Sequence, residues 1–156
     1  MRILIIEDND DKCKRVSTIT LEVLPNATIV RASDYFEADQ KIDEPGWDLL
    51  LLDMTLDLRR GGAGRPGTAQ DYTGGLKIVG KMFYDELMVP TLIITGFDSF
   101  PTARSNDKGS VLGLEAVERE ARRQLGDLLI GTVRHGPDEL EDKFRGLLGD
   151  FVRRTA

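Results

Sequence analysis

The sequence predicts an α/β fold: a doubly wound, five-stranded parallel sheet with helices on both of its faces. Short runs of branched apolar residues alternate with segments in which apolar residues recur at helical spacing. Two of the runs, residues 3–6 and 49–52, are apolar at every position, which is typical of strands buried on both faces. Strands that alternate with helices in this way are joined by right-handed crossovers into one parallel sheet.

The first strand and helix occupy the N-terminal part of the chain. Residues 2–6 form the predicted first strand, and the polar cluster at residues 9–11 opens a helix. Pro25 and Asn26 end that helix. The apolar positions that recur at helical spacing between these signals are Val16, Ile19, Val23 and Leu24.

The second unit leads into the third strand. Residues 27–32 read as a strand, and Ser33 is the predicted N-cap of the helix that follows. Pro45 and Gly46 break that helix, and residues 48–53 form the third strand. The apolar residues of the helix are Phe36 and Ile42.

The C-terminal half continues the alternation. Helices are predicted over residues 75–87 and 111–125, and strands over residues 90–95 and 128–133. Pro137 is placed where a last helix would start. The apolar face of that last helix consists of Leu140, Phe144, Leu147, Leu148 and Phe151.

The composition excludes several classes of protein. The 156 residues are 40% hydrophobic, enough for one domain with its own core, and 27 Asp and Glu against 21 Lys and Arg give a net charge of −6. This acidic balance argues against direct nucleic-acid binding. A lone Cys13, expected in the core, excludes an internal disulfide, and a lone His135 excludes most histidine-based metal sites. With no signal peptide and no membrane span apparent, we expect a soluble cytoplasmic protein.

Two connections are longer than this plan needs. The first, at about residues 56–74, is rich in Gly and Arg, and the second, at about residues 97–110, is polar. Connections of this length without structure of their own are usually functional or disordered. We therefore expect one domain over residues 1–156 with two loop insertions and no output domain.

Carboxylates follow two of the buried runs. Glu7 and Asp8 come directly after the first strand, and Asp53 ends the third. Ligand sites of parallel sheets lie beyond the carboxyl ends of the strands, so these three side chains are expected to meet. Close carboxylates repel one another unless a cation lies among them. The pattern therefore predicts a metal site and indicates a phosphoryl site.

Together with Thr95 after the fourth strand, these residues resemble the pattern of a response-regulator receiver domain, a flavodoxin-like fold of two-component signalling. The resemblance implies that Glu7, Asp8, Asp53 and the backbone carbonyl of Thr55 bind Mg²⁺. It implies further that Asp53 accepts a phosphoryl group from a histidine kinase or phosphotransfer protein, and that the Thr95 hydroxyl reports its arrival. The dipeptide at residues 75–76 resembles the Gly-Leu that commonly opens the family's third helix.

The fifth strand departs from the family pattern. The family ends this strand with a lysine and a proline, and counting back from Leu140 places the lysine position on Val133. A shift of one residue would place Arg134 there, and arginine can pair with phosphate, so Arg134 is a candidate surrogate. The aromatic residue that the family has in this strand falls on Ile130. Both changes affect the response to phosphorylation rather than metal binding.

These features predict a stand-alone receiver that is not an enzyme, apart from assisting its own phosphorylation and dephosphorylation. Its expected partners are the phosphodonor protein, a downstream protein target and, in a homodimer, a second copy. The first alternative is a receiver-like interaction module that signals without phosphorylation, because the lysine and aromatic residue are missing. The second is a metal-dependent phosphohydrolase. That class usually has an aspartate two residues after the nucleophile, where this chain has Thr55.

Overall fold

The computed structural model describes residues 1–57, 70–71, 73–96, 99–101, 111–134 and 140–155. Its helices are α1 (Asp10–Val23), α2 (Tyr35–Lys41), α3 (Gly74–Tyr84), α4 (Leu114–Leu125) and α5 (Leu140–Thr155), with a short 3-10 turn at Gly126–Leu128. Its strands are β1 (Arg2–Ile6), β2 (Thr28–Ala32), β3 (Leu49–Leu52), β4 (Leu56–Asp57), β5 (Gln70–Asp71), β6 (Thr91–Thr95), β7 (Ser99–Pro101), β8 (Val111–Gly113) and β9 (Leu129–Arg134).

Five of the strands form one sheet in the order β2-β1-β3-β6-β9. Every neighbouring pair in it is parallel. From β1 the chain adds β2 on one side, and then β3, β6 and β9 in turn on the other side. This change of direction is typical of a doubly wound sheet and confirms the predicted fold class. Because the strands are parallel, the residues that follow β1, β3 and β6 lie at the same edge.

The centre of the sheet is buried on both faces, because residues 3–6 of β1 and all of β3 are apolar and buried. Alternate residues face opposite sides, so Leu4 and Leu50 pack with α2, α3 and α4, whereas Ile5 and Leu51 pack with α1 and α5. Cys13 lies in the second of these cores, as predicted. Helices on both faces thus bury their apolar stripes against the sheet.

Two predicted helix starts are wrong in detail. The N-cap of α2 is Asp34, whose carboxylate accepts a hydrogen bond from the Glu37 N–H at 2.8 Å, whereas Ser33 donates its hydroxyl to the Glu37 side chain. The predicted helix over residues 111–125 begins only at Leu114. Its first three residues pair instead with β7 as a strand, because an apolar run this short fits either structure.

The first long connection contains a strand at each end, and the second contains one at its start. β4 pairs with β5, and β7 pairs with β8, each time antiparallel. Residues 56–57, 70–71 and 99–101 of the two connections thus have structure of their own. The central parts of both connections, which include the Gly and Arg run, lie outside the described residues. So do His135 and the helix start predicted at Pro137.

Within the described ranges, none of the helices combines the length and the apolar character needed to cross a bilayer.

Candidate functional site: an acidic cluster at the edge of the sheet

The register of the central strands brings the acidic residues together. β1 and β3 run side by side with Ile6 opposite Leu52, so Glu7 and Asp53 each follow one member of that pair. The Asp53 N–H donates to the Ile6 carbonyl at 3.0 Å, which continues the ladder to the point where the site begins. The Glu7 N–H is held in the same way by the Ala32 carbonyl of β2.

Three carboxylates converge at this edge, as the sequence predicts. Oxygens of Glu7, Asp8 and Asp53 all lie within 4.8 Å of one another. Glu7 and Asp53 are only 3% and 6% exposed, and Asp8 is half-buried. Carboxylate oxygens are the ligands that Mg²⁺ prefers, so the chemistry of this donor set fits a hard divalent cation.

The backbone around Asp53 is tightly packed against the start of α3. Asp53 Oδ1 accepts a hydrogen bond from the Met54 N–H at 2.8 Å, and the Met54 carbonyl accepts one from the Gly75 N–H at 2.9 Å. A Cβ atom on Gly75 would lie 2.5 Å from the Asp53 carbonyl oxygen. Glycine is therefore required at this position for α3 to approach the site.

A lysine that sequence reasoning missed lies inside the acidic cluster. The ammonium nitrogen of Lys12, on α1, lies 2.6 Å from Glu7 Oε2 and 3.0 Å from Asp53 Oδ1. One signal was present in the sequence, because lysine is unfavourable in the first turn of a helix, at the positive end of the helix dipole. Its presence there indicates compensating carboxylates nearby.

A second missed residue, Arg31 on β2, holds the acidic doublet in place. Its guanidinium donates to the carbonyl oxygens of Glu7 and Asp8 at 2.9 and 3.1 Å, and it pairs with Asp10 at 2.6 Å. These bonds fix the turn between β1 and α1, and so fix the direction in which both carboxylates point. No spacing in the sequence indicates this contact, because it joins residues of different strands.

The residues that follow the outer strands lie at the same edge. Thr95 is the last residue of β6 and is buried, and its register partner is Arg134, the exposed last residue of β9. Of the two residues considered for the missing lysine, Val133 is fully buried in the core shared with α1 and α5. Arg134 is thus the residue of β9 that lies opposite the predicted switch hydroxyl.

Two further positions named by the resemblance, Thr55 and Ile130, lie in the described part of the chain. Thr55 is buried, and its hydroxyl has no hydrogen-bond partner among the described atoms. Ile130, where the resemblance expects an aromatic residue, is partly buried against the core formed with α1 and α5. Neither side chain contributes charge to the site.

Burial changes the protonation of the acidic residues. It raises the pKa of Glu7 from 4.5 to about 7, first because the carboxylate is removed from water and then because Asp53 lies nearby, although Lys12 opposes the shift. Burial also raises the pKa of Asp53, against the opposing charge of Lys12. Both carboxylates are therefore harder to ionise than exposed ones.

Comparison with known structures identifies the fold. No protein-family model and no curated protein matches the sequence. A receiver domain protein from Methanospirillum hungatei superposes with a TM-score of 0.59 at 17% identity, covering 98% of this chain and 97% of that one. A two-component response regulator from Clostridium difficile gives 0.63 at 18% identity, covering 99% and 98%. A response regulator receiver protein from Pseudoalteromonas atlantica gives 0.65 at 10% identity, covering 100% of both chains.

These likenesses extend over nearly the whole chain at low sequence identity, so they establish the architecture. They agree with the strand order of the five-stranded sheet. The chain has the fold of a response-regulator receiver domain.

Proposed function

We propose that this chain is a receiver whose Asp53 accepts a phosphoryl group in a Mg²⁺-dependent reaction. The observation that carries the proposal is the convergence of three carboxylates, two of them buried, at the edge where the strands end. Buried carboxylates are unfavourable unless a cation pairs with them, and clusters of this kind occur preferentially at functional sites. The fold, shared with proteins named as receivers, is consistent with this role.

In the proposed reaction an Asp53 carboxylate oxygen attacks the phosphorus atom of the donor. A new oxygen–phosphorus bond forms as the bond from phosphorus to the donor nitrogen or oxygen breaks, and the leaving group takes up a proton. The hydrogen bond to Asp53 from the Met54 N–H orients the carboxylate before attack. Such positioning supplies most of the catalysis in phosphoryl transfer.

The metal ligands in this proposal are Glu7, Asp8, Asp53 and the backbone carbonyl of Thr55. A bound Mg²⁺ supplies charge neutralisation, which allows an anionic acceptor and an anionic donor to approach. Arg31 holds the carbonyls of Glu7 and Asp8, and so keeps the doublet aimed at the site without a metal.

The proposed response involves Thr95 and Arg134. Once Asp53 is phosphorylated, the Thr95 hydroxyl donates a hydrogen bond to the phosphoryl group, and Arg134, its register partner, supplies positive charge. The segment after β6 then shifts and changes the surface presented to a partner. The partners of this scheme are a histidine kinase or phosphotransfer protein as donor and a downstream protein or a second copy as target.

Mass spectrometry after incubation with acetyl phosphate and Mg²⁺ tests the proposal. We expect one phosphoryl group on Asp53 and none in Asp53→Asn. Asp48→Asn is a matched control, because Asp48 is an exposed residue preceding the other end of β3. Modification elsewhere, or none in wild type, would reject the phosphoacceptor role.

A second candidate function is an interaction module that needs no phosphorylation. It is favoured by the absence of a lysine at the end of β9 and by Ile130 in place of an aromatic residue. Beryllofluoride with Mg²⁺ separates the two functions, since it mimics the phosphoryl group. If beryllofluoride changed the NMR spectrum of the wild type no more than that of Asp53→Asn, the interaction module would be favoured.

A further inference from the structure

Lys12 brings a positive charge into the acidic cluster from the first helix. Its ammonium nitrogen lies within 2.6 Å of Glu7 Oε2 and 3.0 Å of Asp53 Oδ1, and its side chain is only 9% exposed. Lysine is normally a surface residue, because burial of an ammonium group is costly unless carboxylates pair with it. The ammonium therefore belongs to the site, where it is held by the two carboxylates.

The local structure does not favour a cation at this position. Lys12 lies in the first turn of α1, where the helix dipole disfavours positive charge. The Asn9 side chain caps this turn by accepting a hydrogen bond from the Lys12 N–H at 2.9 Å. The cap fixes the backbone from which the side chain extends, and the pairing with Glu7 and Asp53 holds the ammonium against the dipole.

The ammonium and a divalent cation would draw on the same carboxylates, those of Glu7 and Asp53. Mg²⁺ binds oxygen at about 2.0–2.1 Å, so an ion on Asp53 Oδ1 would lie within about 5 Å of the Lys12 nitrogen, which is 3.0 Å from that oxygen. Two positive charges at this separation repel strongly in a buried site, where water and salt screen poorly. Each cation therefore weakens the binding of the other at these carboxylates.

We infer that Lys12 is a built-in competitor of the divalent cation, so that the metal enters only as the ammonium leaves Glu7 and Asp53. The inference rests on the proposed metal site and not on the phosphoryl transfer itself. The flexible four-carbon stem allows the ammonium to withdraw while the backbone stays capped. The metal affinity is consequently lower than the three carboxylates alone would give, and the metal-free site is neutralised in part by the chain's own cation.

Isothermal titration calorimetry of the full chain with MgCl₂ tests this competition. Lys12→Met keeps the length of the side chain and removes its charge, so we expect the Kd for Mg²⁺ to fall by about tenfold or more. Lys14→Met is the matched control, because Lys14 is an exposed residue of the same helix. It removes the same formal charge outside the site and should change the Kd by less than about twofold. Unchanged or weaker binding by Lys12→Met overturns the inference.

A second variant covers the case in which Lys12→Met does not fold, since that change leaves two buried carboxylates facing each other. Circular dichroism in the absence of metal reports whether it folds. Lys12→Arg retains the charge and adds a guanidinium that binds carboxylates through two parallel hydrogen bonds. We expect it to bind Mg²⁺ more weakly than wild type, and equal or tighter binding would contradict the competition.

Phosphorylation of the same variants is measured separately by mass spectrometry. Tighter Mg²⁺ binding by Lys12→Met, with no phosphorylation of wild type, would support the competition and reject the proposed function. Phosphorylation of Asp53 in wild type, with the Mg²⁺ affinity unaltered in Lys12→Met, would reject the competition and leave the proposed function standing. The two failures are thus distinguishable.

Discussion

Gly75 separates α3 from the backbone of the acidic site, and replacing it with alanine should be strongly destabilising. A Cβ atom there would lie 2.5 Å from the Asp53 carbonyl oxygen, 2.5 Å from Met54 Cε and 2.8 Å from Met54 Cα. Two of these three atoms belong to the backbone, which cannot rotate away as a side chain does. The clash can be relieved only by moving α3 or the residues that follow β3.

The magnitude follows from two opposing effects. Alanine in a helix is favoured over glycine by about 0.5–1 kcal/mol, but overpacking a buried site costs about 1–3 kcal/mol or more. Because the contacts at Gly75 are with backbone, we expect the upper part of that range and a net loss of about 2 kcal/mol. For a chain of this size, the loss corresponds to a decrease in Tm of roughly 4–8 °C.

Gly80→Ala on the same helix is the matched control. A Cβ at Gly80 would meet only the Gln124 Oε1 atom, at 3.7 Å, which is ordinary van der Waals contact. The helix preference then acts alone, and this variant should gain about 0.5–1 kcal/mol. Urea unfolding measures the free energy of unfolding of both variants, provided that its dependence on urea concentration has the same slope as in wild type. If Gly75→Ala were as stable as wild type, the close approach of α3 to Asp53 would be refuted.

Three further predictions concern the core and the charges of the site. Phe144→Ala should cost about 3–5 kcal/mol in urea unfolding, because Phe144 is fully buried, and a loss below about 1 kcal/mol would contradict its place in the core. In metal-free protein the pKa of Glu7 is raised from 4.5 to about 7. As pH rises, the unfolded chain therefore loses this proton near pH 4.5 and the folded chain only near pH 7. Stability should therefore fall across that interval, by up to about 3 kcal/mol from this group, and Glu7→Gln should remove that part of the slope. An equally steep pH profile in the variant would show that Glu7 is not its source. Mg²⁺ should raise the Tm of wild type by mass action, and Asp8→Ala should lose most of that increase. An undiminished increase in the variant would place the metal elsewhere.

The sheet could be predicted from the sequence because its signal is local. Residues 3–6 and 49–52 are apolar at every position, and a strand covered on both faces buries such a run completely. The carboxylates of Glu7, Asp8 and Asp53 follow these runs directly, so their meeting at one edge required nothing beyond the parallel arrangement. The residues at which the helices and strands begin and end were less predictable. Residues 111–113 extend an apolar helical pattern, yet they form a strand because β7 offers a partner.

The charges that surround the carboxylates were decided by the tertiary structure. Arg31 reaches the Glu7 carbonyl from a neighbouring strand, and Lys12 reaches both Glu7 and Asp53 from the helix that follows them. Likewise, only the register of β6 and β9 showed that Arg134, rather than buried Val133, lies opposite Thr95. Hydrophobic periodicity involves residues close together in the sequence, so it predicts the strands, the helices and the edge of the sheet at which the carboxylates lie. Electrostatic pairing depends on where long side chains meet in space, so the contacts of Lys12 with Glu7 and Asp53 were decided by the tertiary structure.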